Sequence, residues 1–138
     1  MRTFLILAIV LILFSFQVFE NKPDKKNELL KTEWKLTSFP LKPELQLDTL
    51  SLTISFAKNS AANGFAGCNL WSAKYKVHHS KLSFLNISTT RRFCTATMPL
   101  ENAFLDILRS CETFKIHKES LTFYQKEKSI ATFTKVSK

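Results

Sequence analysis

Asn63-Gly64-Phe65-Ala66-Gly67-Cys68-Asn69-Leu70-Trp71-Ser72-Ala73-Lys74-Tyr75 is the stretch on which the fold turns. It holds the only two glycines of the 138-residue chain, just ahead of Cys68-Asn69. Glycine at such positions supplies a positive φ or a close backbone approach. The reading is a structural turn that fixes Asn69 by side-chain-to-backbone hydrogen bonds. A ligand-binding loop is the sharper alternative, although the glycine spacing does not match a phosphate-binding loop and no Gly-Lys-Ser/Thr follows. Beyond the turn, Trp71, Ala73, Tyr75 and Val77 alternate with Ser72, Lys74, Lys76 and His78, the period of a half-buried strand.

Upstream, Trp34-Lys35-Leu36 opens a first strand that Phe39-Pro40 closes. Leu50, Leu52, Ile54 and Phe56 alternate with Ser51, Thr53 and Ser55 as a second strand, and Ala62 to Ala66 form a return strand. Downstream, a turn at His79-Ser80 leads into Lys81-Leu82-Ser83-Phe84. Leu100, Ala103, Phe104, Ile107, Leu108 and Cys111 make one continuous helical apolar stripe, with Pro99 in its first turn and Thr97 at its N-cap. Phe114 to Ile116, Leu121 to Phe123 and Ile130 to Thr134 read as three antiparallel strands joined by polar turns. Many short strands with one amphipathic helix imply a single α+β domain, a curved, barrel-like antiparallel sheet packed against that helix.

The quoted stretch resembles the signature of META domains, roughly G-x-x-G-C-N-x-aromatic-x-G-x-Y. Thr90-Arg91-Arg92-Phe93-Cys94 resembles the second hallmark, a Thr followed four residues later by Cys, and Trp34-Lys35-Leu36 resembles the opening W-x-L. The likeness spans about Glu33 to Val136 and rests on Trp34, Gly64, Gly67, Cys68, Asn69, Tyr75, Thr90 and Cys94. Ala73 stands where the family usually has Gly, and Arg92-Phe93 replace the common Met-Ala. The resemblance implies an HslJ-like bacterial protein associated with heat shock and the cell envelope, with no catalytic mechanism attached.

Of the three cysteines, Cys68 and Cys94 are the disulfide candidates, and Cys111 stays in the helix stripe. A bridge would close a loop of about 27 residues, contributing about 3.5 kcal/mol in the chain-entropy model. Two buried free thiols are the alternative.

At the N-terminus, Arg2 precedes an uncharged run from Thr3 to Phe19, and Glu20 is the first acidic residue. This is the pattern of a signal peptide or signal anchor over residues 1–20. No good cleavage site and no lipobox cysteine follow it. Residues 21–30 read as a polar tether and 31–138 as the domain. The expectation is a cell-envelope protein, exported or held at the membrane through this segment if it is uncleaved.

Twenty basic residues against eleven acidic give a net charge of +9. Lysines are scattered in ones and twos, and the only arginines are Arg2, Arg91, Arg92 and Arg109. Nucleic-acid readers rely on arginine forks and stacking, so the charge reads as a solvated surface and no nucleic-acid partner is expected. Arg91-Arg92 form the densest positive point, either a solvated strand end or a contact for an anionic partner. His78-His79 sit at a turn, where side chains on opposite faces do not share a metal. Glu101, Asp106, Glu112, Glu119 and Glu127 are spread over helix surface and turns without acid/base pairing.

Two function classes follow. The first is a non-catalytic envelope protein acting through binding, with a protein partner in the envelope and no cofactor. The second is a small-molecule-binding protein or enzyme with a site around Asn69, Trp71 and Tyr75.

Overall fold

The computed structural model describes residues 25–30, 32–40, 42, 47 and 51–136. The expected apolar leader, residues 1–20, lies outside them, as do Leu50 and the first part of the tether. Eight strands form a closed antiparallel barrel in sequence order: β1 (Glu33–Ser38), β2 (Thr53–Phe56), β3 (Ala61–Phe65), β4 (Leu70–His78), β5 (Lys81–Thr89), β6 (Thr113–His117), β7 (Ser120–Gln125) and β8 (Lys128–Lys135). Among the described residues two helices accompany them, α1 (Lys25–Leu30) and α2 (Met98–Ser110). No helix among the described residues is long and apolar enough to cross a membrane.

The alternation in the sequence sets which side chains face inward. Trp71, Ala73 and Tyr75 of β4 are buried while Ser72, Lys74 and Lys76 are exposed. Their register partners on β5 repeat the rule: Tyr75 pairs with Phe84 inside, and Lys74 with Leu85 outside. Asn86, at φ 54°, adds a residue at the irregularity in this register, and the strand continues to Thr89 rather than stopping at Phe84.

Closure is thinnest between β5 and β6, which share one registered pair, Lys81 with Thr113. Two backbone bonds extend that contact, Leu82 N–H to Glu112 O (3.0 Å) and Phe114 N–H to Ser80 O (2.8 Å). The upper part of β5 has no such partner, and α2, inserted between β5 and β6 in the chain, packs beside it. Its apolar stripe enters the barrel. The Phe104 ring meets Trp71 (5.9 Å) and Phe133 (6.4 Å), and Phe133 meets Phe123 (4.8 Å). Each fully buried ring contributes about 1.5–3 kcal/mol.

Three details depart from the expectations. Residues 25–30 of the expected tether form α1, whose Leu29 is fully buried in the core. The domain therefore begins before residue 31, because one apolar side chain in a polar stretch finds a place to bury. Thr97 stands at the N-cap of α2 but makes no side-chain cap bond; its carbonyl accepts from Glu101 N–H (2.9 Å). The rings of His78 and His79 meet at 4.3 Å with Nδ1 atoms 3.2 Å apart, since His79 takes a left-handed turn conformation (φ 56°) and strand alternation stops there.

Candidate functional site

The two glycines differ in purpose. A Cβ on Gly64 would clash with the backbone carbonyl of Thr53 and stand 2.9 Å from Trp71 Nε1. Its absence lets the indole reach across β3 and donate to Thr53 O (3.1 Å). Gly67 lies in the β3–β4 turn at φ 102°, where an L side chain is strained although the space around it is open. That turn is closed by Ala66 N–H donating to Asn69 O (2.8 Å).

The turn delivers Asn69, 3% exposed, into a network spanning three segments. Its backbone N–H donates to Glu101 Oε2 (2.9 Å), and its Nδ2 donates to Glu101 Oε1 (2.9 Å) and to Arg92 O (3.1 Å). Its Oδ1 accepts from Thr90 Oγ1 (2.8 Å) and Arg92 N–H (2.8 Å). Both amide protons and both carbonyl lone pairs of the side chain are thus used. Thr90 Oγ1 also accepts from Leu70 N–H (3.2 Å). Beside this network Cys68 and Cys94 form a disulfide, with Cα atoms 6.0 Å apart. The loop after β5 is therefore tied to the β3–β4 turn by one covalent bond and by hydrogen bonds to both the N–H and the C=O of Arg92.

A match to the META domain model runs over residues 27–138. The chain belongs to the META domain family. Its fold is also similar to solved structures: an NMR structure at 21% identity (TM-score 0.63), covering 80% of this chain and 94% of that one. An NMR structure of a protein from Burkholderia xenovorans matches at 22% identity (TM-score 0.64), with 81% and 86% covered. A crystal structure of a DUF4847 family protein from Bacteroides vulgatus matches at 10% identity (TM-score 0.62), with 79% and 95% covered. At these identities the likeness shows the fold alone. No curated protein matches the chain.

In this META domain the motif residues Gly64, Gly67, Cys68, Asn69, Thr90 and Cys94 assemble at one rim of the barrel. Trp34 sits at the other rim, at the start of β1, buried and, among the described residues, with no partner for its indole Nε1. Tyr75, whose hydroxyl donates to Ala57 O (2.9 Å) and whose pKa burial raises, lines an open cleft of about 810 Å³ with Lys76, His78, Lys81, Cys111 and Glu112. Asn69 and Trp71 are not part of that lining. The Cys111 thiol is pushed up to about 12, first by burial and then by the charge of Glu112. Among the described residues no group of three His, Cys, Asp or Glu side chains could hold a metal.

Two residues carry more than their sequence reading gave them. Glu101, read as helix surface, is 3% exposed and is the acceptor at the heart of the network. Its position three residues before Phe104 and seven before Leu108 places it inside the apolar stripe, which was the available signal. Phe93, between Arg92 and Cys94, is 83% exposed.

Proposed function

We propose that this META domain is a non-catalytic, envelope-associated binding protein, HslJ-like in kind, exported or held at the membrane through its N-terminal apolar run. The observation that carries the reading is the saturation of Asn69. The motif that marks the family is turned inward, and every hydrogen-bonding group of its central side chain is used to hold a loop. Such a network rigidifies and offers nothing to a substrate. The enzyme reading centred on Asn69, Trp71 and Tyr75 loses support for the same reason, because each is buried and already bonded. The Cys68–Cys94 disulfide supports an oxidising compartment, where such bonds form and persist. Neither a nucleic acid nor a cofactor belongs to this reading; its partner is a protein.

The test is intact mass after denaturing alkylation of the chain recovered from fractionated cells, with and without prior reduction. The reading expects envelope-fraction protein with one alkylated cysteine before reduction and three after it. Three alkylatable thiols without reductant, in protein from the cytosolic fraction, would overturn it.

A further inference from the structure

We propose that the loop from Thr90 to Cys94 is a preorganised docking surface for an acidic segment of a partner protein, with Phe93 as its apolar anchor and Arg91 and Arg92 as carboxylate-binding forks. This rests on the binding-domain reading above and names the surface and the partner chemistry. The exposure of Phe93 is the first ground. Phe39, Phe56, Phe84, Phe104, Phe114, Phe123 and Phe133 are all buried, whereas Phe93 leaves 83% of its surface to solvent.

The second ground is that the exposure is held. Phe93 is bracketed by Arg92, whose N–H and C=O are both bonded to the Asn69 side chain, and by Cys94, bonded to Cys68. Those ties fix the backbone on both sides of the ring. A side chain and loop fixed before binding lose little conformational entropy on docking, which is the condition for a tight anchor. Leu70, 62% exposed, is stapled to the same loop by its N–H to Thr90 Oγ1 and by Thr90 N–H to its own carbonyl (3.0 Å), adding apolar surface.

Charge gives the third ground. Arg91 and Arg92 are exposed, and among the described residues the ion pair formed is Arg109 with Asp106, elsewhere on α2. These two are half of the four arginines in a chain otherwise served by lysine. The guanidinium fork matches a carboxylate in two parallel bonds, and arginine beside an aromatic is the composition of interface hot spots. Topology argues for a protein rather than a bilayer. β1 and β5 run in the same sense around an antiparallel barrel, so the end of β5 lies at the rim opposite the start of β1. α1, which follows the N-terminal apolar run in the chain, leads into β1, and the loop faces away from that side.

The full chain, immobilised in phosphatidylcholine nanodiscs, is panned against a random displayed dodecamer library, and enriched peptides are remade with a fluorophore for anisotropy titration. The expected winners combine Asp or Glu with a large apolar residue. Phe93→Ala should weaken their binding at least tenfold and Arg91→Glu/Arg92→Glu at least thirtyfold. Lys118→Glu at the opposite rim should leave it within twofold. Since Phe93 touches mostly solvent, Phe93→Ala should melt within 2 °C of the parent, so that lost binding is not lost folding. Peptides without acidic residues, or binding indifferent to the loop variants, would overturn the surface while leaving a binding domain standing. No enrichment at all overturns the proposal, as does Phe93-dependent flotation with phosphatidylglycerol vesicles in place of peptide binding. The envelope placement in the reading above is tested separately, by the alkylation result.

Discussion

Replacing Asn69 by Ala removes four side-chain hydrogen bonds at once, and the structure says which of them cost most. Three of the partners, Thr90 Oγ1 and the N–H and C=O of Arg92, belong to exposed residues and can re-pair with water. Each of those bonds counts about 0.5–1 kcal/mol net. The fourth partner, Glu101 Oε1, lies in a residue 3% exposed, and its loss of Asn69 Nδ2 leaves a buried oxygen short of a donor. That deficit costs about 1–3 kcal/mol. The total is about 4 kcal/mol, a large part of the roughly 5–15 kcal/mol that holds a domain folded. At about 4 °C per kcal/mol for a domain of this size, Tm should fall by about 15 °C. Circular-dichroism melting of the oxidised protein measures it, with Asn102→Ala on the exposed face of α2 as a control expected within about 2 °C. Asn69→Ala and Glu101→Ala should also be non-additive, since they share their bonds. A fall of under 3 °C for Asn69→Ala would refute the reasoning: water would then replace the amide and the network would hold nothing.

Gly64→Ala should be worse than Gly67→Ala on denaturant midpoints. The former drives a Cβ into the Thr53 backbone, whereas the latter meets open space and carries only the strain of φ 102°, about 1–3 kcal/mol. Trp34→Phe should cost at least about 1 kcal/mol less than Trp71→Phe in urea unfolding. The first removes a buried donor that has no partner among the described residues, and the second strips Thr53 O of its indole. Cys111 gives a pH effect of definite sign. Between pH 9 and about 12 the unfolded chain releases the thiol proton and the folded chain keeps it, so stability falls as pH rises through that window. Cys111→Ala should flatten that alkaline loss when unfolding free energies at pH 8 and pH 10.5 are compared; identical slopes would contradict it.

The barrel was readable because its strands alternate strictly: Trp71, Ala73 and Tyr75 point inward in the sequence and in the structure alike. The antiparallel order of the last three strands followed from their turns. Strand lengths were less legible. β5 runs past Phe84 because Asn86 takes up a bulge, and no local pattern announces where a bulge absorbs a residue. α1 escaped notice because six residues with one buried leucine carry no period; only the core that Leu29 enters explains it.

At the site, Gly64, Gly67 and the pairing of Cys68 with Cys94 were visible as local chemistry and as a family pattern. The Asn69–Glu101 contact was not, since it joins residues 32 apart whose proximity depends on the barrel closing over α2. A carboxylate within an apolar stripe was the clue, and it gains meaning only once a buried amide is found opposite it. His78 and His79 show the converse limit. Strand alternation separates neighbouring side chains, and a single left-handed residue brings them together.

The central claim is that the family motif exists to hold the loop after β5 rigid. Amide hydrogen exchange at Arg92 tests it most directly. Arg92 is an exposed residue in an irregular segment, and the bond that protects its N–H is the one to Asn69 Oδ1. In the oxidised protein this amide should exchange at least a hundredfold more slowly than an unstructured one, and Asn69→Ala should abolish that protection while the β4 amides stay protected. Exchange at the unstructured rate in the parent protein would contradict the account.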